Sequence, residues 1–121
     1  MMTTEQLAQW VTALLDTHKA LQITELDVTS LTDITDRMIL GSATSKRHAA
    51  TLAEKIIMES KAQGTPPLGV EGEANAEWIL IDLQDVIVHI MLPEIRDFYS
   101  LEKLWSMTKT VRKNVSIDDQ R

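Results

Sequence analysis

Two short apolar runs, Trp78 to Leu83 and Val86 to Leu92, stand with only Gln84 and Asp85 between them. Each is rich in Ile and Val, is too short for a stable buried helix, and is bounded by polar residues, which makes both strands. So short a spacer leaves one arrangement, neighbouring antiparallel strands of a hairpin. Gln84 is a poor residue for a primed turn, where Gly or Asn is usual, so a longer or bulged turn is expected. Alternation puts Trp78, Leu80 and Asp82 on one face and Ile79, Ile81 and Leu83 on the other. In the second run Val86, Val88 and Ile90 oppose Ile87, His89 and Met91. Both faces are apolar, so both must be covered, by helices on each side or by a partner.

Asp82, Asp85 and His89 are the polar interruptions of this core, and Pro93 ends the second run. The next stretch, Glu94 to Trp105, gathers Arg96, Phe98, Tyr99, Leu101, Leu104 and Trp105. With Trp78 it holds every aromatic of the chain except Trp10. Aromatics with one Arg are the composition of an interface hot spot, although Phe98, Leu101 and Leu104 also suit core closure.

The rest of the chain supplies covers and edges for that hairpin. Leu7, Trp10, Val11, Leu14 and Leu15 recur at helical spacing behind a capping box of Thr3 and Gln6, predicting a helix over 4–19 that lids one sheet face. Ile23 to Thr29 alternates as a half-buried strand, and Ser30 to Asp36 reads as a turn. Met38 to Gly41 follows as a central strand paired with the first. A second helix begins at Thr44 or Ser45, carries Ala49, Leu52, Ala53, Ile56 and Ile57 in a stripe, and stops at Gly64 before Pro66-Pro67. Lys46 and Arg47 lie in its first turn, where the helix dipole disfavours cations. An anion site over Thr44 to His48 is one reading of that conflict, and a solvated turn is the simpler one. Leu68 to Val70 adds an edge strand, and Glu71 to Ala76 is a loop. Residues 1–106 thus form one domain, and the polar stretch 107–121 has no sustained period.

The 121 residues suffice for a core without staples, and the absence of Cys excludes disulfides and thiolate chemistry. No apolar stretch is long enough to span a membrane, and the N-terminus lacks a signal pattern, so a cytoplasmic protein is expected. A formal charge of −6 opposes gripping a phosphate backbone over a large surface, so no sequence-specific nucleic-acid partner is expected, and it suits docking on a basic protein. Asp82 and Asp85 would hold a divalent cation if they converged, but a phosphate-cradling Gly-rich loop is missing and they serve equally well as hairpin caps. His18, His48 and His89 lie on separate elements without ligand spacing. His89 is expected at the core edge, hydrogen-bonded to a neighbour, with Asp82 or Asp85 as carboxylate candidates. No metal site, cofactor or nucleophilic triad is predicted.

One ordered series carries a resemblance. Glu71-Gly72, Trp78, Asp82 and Asp85, Val88-His89, Arg96 and Tyr99, Leu101-Glu102 and Leu104-Trp105 occur in an order that resembles the ribosomal silencing factor (RsfS, Iojap-like) family. Leu26-Asp27, Thr35-Asp36 and the Thr44 to His48 cap extend it over most of the chain. The chain departs from the family at Arg37-Met38, where an aromatic is common, and at Ala43 and Gln84, where Gly is common. The resemblance implies a single α/β domain, a mixed sheet flanked by helices, similar to a nucleotidyltransferase fold without its catalytic apparatus. It implies a non-enzymatic factor that binds the large ribosomal subunit through its fourteenth protein (ribosomal protein L-fourteen) and blocks association with the small subunit. It also implies a homodimer when free. Trp78, Asp82, Asp85, His89, Arg96, Tyr99, Leu101, Glu102 and Trp105 are its implied partner-binding residues. A metal-dependent nucleotidyltransferase is the alternative from another class.

Overall fold

The computed structural model describes residues 2–98. Helix α1 (Thr4–Thr17) starts at Thr3, whose hydroxyl accepts from the Gln6 N–H while the Gln6 side chain accepts from the Thr3 N–H, the predicted capping box. It ends two residues earlier than expected. Lys19 turns to φ 70°, its N–H donates to the Asp16 carbonyl, and the Ala20 N–H donates to the Leu15 carbonyl. That paired closure satisfies the orphan carbonyls of the last turn, so His18 and Lys19 lie past the helix. Helix α2 (Lys46–Ala62) stops by the same device, with Gly64 at φ 83° supplying the left-handed residue.

Five strands make one sheet in the order β1-β2-β5-β4-β3, where β1 is Leu21–Asp27, β2 Arg37–Ser42, β3 Gly69–Glu71, β4 Trp78–Asp82 and β5 Val86–Met91. Strand β2 pairs antiparallel with β1 and parallel with β5, and the remaining pairs are antiparallel, so the sheet is mixed as expected. The parallel pair exists because α2, β3 and β4 intervene in the chain before β5 returns beside β2.

The β4–β5 turn differs from the expectation of a longer or bulged loop. Asp82 faces Ile87 in register, the Leu83 N–H donates to the Val86 carbonyl, and Gln84 and Asp85 alone make the turn. Gln84 takes φ 80°, a conformation costly for a side chain with a Cβ. Two bonds hold it there: the Asp85 N–H to the Leu83 carbonyl at 3.1 Å, and the Gln84 N–H to the Asp82 carboxylate at 2.8 Å.

The sheet faces divide the core. Ile39, Ile79, Ile81, Val86, Val88 and Ile90 pack with Leu7, Val11 and Leu15 of α1 and with Leu52, Ala53 and Ile56 of α2. Both long helices therefore lie on one face rather than one on each. On the other face Val28, Met38, Leu40 and Met91 cluster with Leu26, Trp78 and Ile95. Ile95 belongs to helix α3 (Pro93–Phe98), which sequence reading missed. Pro93 ends β5 as expected but also opens this helix, where its fixed φ suits the first turn.

Candidate partner-binding face

Of the side chains singled out in the sequence, Trp78, Asp82, His89 and Arg96 meet on the face that α1 and α2 leave. Alternation along paired strands puts Trp78, Leu80 and Asp82 of β4 in one layer with Ile87, His89 and Met91 of β5 and Met38, Leu40 and Ser42 of β2. His89 has no exposed surface. Its Nδ1 accepts from the Trp78 indole N–H at 3.0 Å, and the rings tilt at 46° with centroids 6.1 Å apart. A ring nitrogen that accepts carries no proton, so the imidazole is neutral with its proton on Nε2. Burial pushes its pKa down from 6.5 to about 3, because the charged form would lose its hydration. The predicted core-edge histidine is thus fully buried, and the partner on Nδ1 is an indole rather than a carboxylate.

Asp82 is also buried, and its carboxylate accepts from the Gln84 N–H. Asp85 sits three positions past the end of β4 and is exposed. Its backbone carbonyl receives the Asp36 and Arg37 N–H groups, each at 3.1 Å, which ties the hairpin turn to the start of β2. One of the two carboxylates is therefore inside and the other outside. Among the described residues no group of three His, Asp or Glu side chains is placed to hold a metal ion.

Arg96 reaches from α3 back to the start of the sheet. Its guanidinium donates to the Gln22 carbonyl at 2.7 Å, the Ser42 hydroxyl at 2.9 Å and the Thr24 hydroxyl at 2.9 Å. Gln22 stands at φ 49° where the β1–β2 register shifts, so the fork fastens a bulge to the neighbouring strand and α3 to both. Sequence reading proposed Arg96 but missed Gln22, Thr24 and Ser42. A bulge carries no composition signal, and Ser42 looks like an ordinary strand end. Tyr99, Leu101, Glu102 and Trp105 lie outside the described residues.

The Thr44 to His48 tip is exposed from Thr44 to Arg47 and held by its own hydrogen bonds. The Ser45 hydroxyl caps α2 by accepting from the His48 N–H at 3.1 Å. His48 Nδ1 accepts from the Thr44 N–H at 3.0 Å, and Nε2 donates to the His18 carbonyl at 2.9 Å. This imidazole fastens the start of α2 to the end of α1. Lys46 pairs with Glu77 at 3.8 Å, which offsets part of the dipole conflict and favours the solvated-turn reading.

The class defined here is a small α/β domain, its mixed sheet carrying α1 and α2 on one face and, on the other, α3 beside a half-buried indole bonded to a buried imidazole. Comparison with known proteins gives the particular family. The profile described as "Ribosomal silencing factor during starvation" matches residues 1–121. The Haemophilus influenzae protein named ribosomal silencing factor RsfS is 40% identical over 100 residues, covering 83% of this chain and 98% of that one. A mouse protein named "Mitochondrial assembly of ribosomal large subunit protein 1" is 35% identical over 89 residues, covering 71% of this chain and 36% of its own length. A crystal structure of a Chromobacterium violaceum protein superposes with a TM-score of 0.81 at 36% identity, over 86% of this chain and 87% of that one. This chain belongs to the RsfS family.

Proposed function

We propose that this chain silences translation by binding the large ribosomal subunit through ribosomal protein L-fourteen and obstructing association with the small subunit, in the cytoplasm, when nutrients are scarce or growth stops. The observation that carries the reading is the family match across the whole chain, with relatives named for ribosome silencing and for large-subunit assembly. Steric obstruction needs no bond made or broken, so the role is regulatory and stoichiometric. The net charge of −6 favours encounter with a basic protein surface and opposes direct contact with RNA phosphates.

The geometry supports a division of labour among the implied contact residues. Trp78 and Arg96 are half-buried and Asp85 is exposed, so these three reach a partner. His89 and Asp82 are buried and act through what they hold, the indole of Trp78 and the Gln84 turn. Tyr99, Leu101, Glu102 and Trp105 continue the contact. When no ribosome is present, the chain pairs with a second copy as a homodimer.

The test is co-sedimentation of the purified chain with separated large and small subunits. Binding to the large subunit alone is expected. Binding to neither, or equally to both, overturns the reading.

A further inference from the structure

On the flank of α2 that is not buried against the sheet stand Ala50, Glu54, Ile57 and Met58, and the β3–β4 loop faces them with Glu73. Between them lies an open groove of about 250 Å³ floored by Ile79. Its size is below the ~300–1,000 Å³ of clefts that take whole small molecules, so the groove has room for one or two side chains. The walls are fixed. In the loop the Ala76 N–H donates to the Gly72 carbonyl at 2.9 Å, and the Lys46–Glu77 pair ties the loop to α2. Gly72 at φ 88° lies so close to the Trp78 carbonyl that a Cβ there would sit 2.0 Å from its oxygen. The rim adapts, because Met58 is 58% exposed and its unbranched thioether repacks readily.

Charge selects the occupant. Among the described residues neither Glu54 nor Glu73 is paired with a cation. Two free carboxylates over an apolar floor, on a chain of charge −6, repel phosphate and acidic peptides. They attract a cation whose stem is aliphatic. Arginine and lysine are built that way, laying their methylenes on apolar surface while the head stays polar. We propose that this groove docks a protein segment presenting an arginine or lysine beside an aliphatic side chain. The cation sits between Glu54 and Glu73 and the stem rests on the partly exposed Ile57. Ile79 and Trp78 point to opposite faces of β4, so the groove is separate from the Trp78 surface and does not depend on the ribosomal reading.

Titrating the full ¹⁵N-labelled chain with a capped Ala-Leu-Arg-Leu-Ala peptide tests the proposal. Saturable shifts at the amides of Glu54, Ile57, Glu73 and Ile79 are expected at millimolar peptide, weakening with added salt. The Glu54→Gln/Glu73→Gln variant should bind roughly fivefold more weakly, as should wild type with a peptide carrying glutamine in place of arginine. Both glutamates are exposed, so the variant keeps the fold. Absence of saturable shifts at these amides overturns the proposal. So does equal binding of the glutamine peptide, or undiminished binding by the variant, since either makes the groove an apolar trap without charge selection.

Discussion

On the helix-covered face of the sheet, Ile39, Ile79, Ile81, Val88 and Ile90 meet Leu15, Leu52 and Ile56 with no polar side chain among the buried strand residues. On the opposite face Met38, Leu40 and Met91 share their layer with Ser42, Asp82 and His89, all buried, and with the fork of Arg96. Both layers exclude water, yet only the second contains groups that must be oriented to be tolerated. A buried polar group costs free energy unless it is hydrogen-bonded, and among the described residues no buried side-chain nitrogen or oxygen lacks a partner. The first layer contributes hydrophobic stability that is indifferent to direction. The second fixes one arrangement of Trp78, the Gln84 turn and α3, which is what a recognition surface needs.

The contrast is easiest to break on the aliphatic side. Ile81→Ala removes a fully buried side chain between α2 and the sheet and should cost about 3 kcal/mol in urea unfolding, with the same far-UV spectrum before the transition. A loss well under about 1 kcal/mol would mean that this layer is loosely packed.

The opposite layer should instead respond to acid. His89 is neutral in the fold and holds its proton less tightly than in the unfolded chain, with a pKa of about 3 against 6.5. Below 6.5 the unfolded chain binds the extra proton, so stability falls as pH drops through that window and the loss is complete near 3. Between pH 7 and pH 5 the loss from this one residue is about 2 kcal/mol. His89→Gln keeps an acceptor for the indole but has no such titration. The stability difference between wild type and this variant should therefore shift by that amount across the two pH values. Parallel curves would show that His89 charges freely in the fold.

The smallest effect belongs to the indole bond itself. Trp78→Phe keeps an aromatic ring but loses the pyrrole portion and its donor to His89, and should cost about 1 kcal/mol at pH 7. No change would show that His89 Nδ1 finds another donor at no cost.

Periodicity and punctuation carried most of the architecture. The two apolar runs, the Thr3–Gln6 box and the Gly64 stop each express a local preference that the fold obeys. Three features escaped for physical reasons. Gln84 enters a tight turn against its own propensity because the Asp82 carboxylate holds its N–H, a compensation visible only once strand register is known. Both long helices pack on one face and β2 pairs in parallel with β5, long-range choices that leave no mark in the local sequence. Helix α3 is too short to show a period, and its anchor Arg96 acts on residues more than fifty positions away. The ordered motif series named candidate contacts without ranking them. Separating buried supports from exposed contacts needed the coordinates.

Subunit joining gives the most direct test of the silencing role. Large subunits preincubated with the chain, then mixed with small subunits and resolved on a gradient, should yield fewer joined ribosomes as the chain is raised to stoichiometry. A joined fraction that stays constant while the chain remains bound to the large subunit would contradict the account.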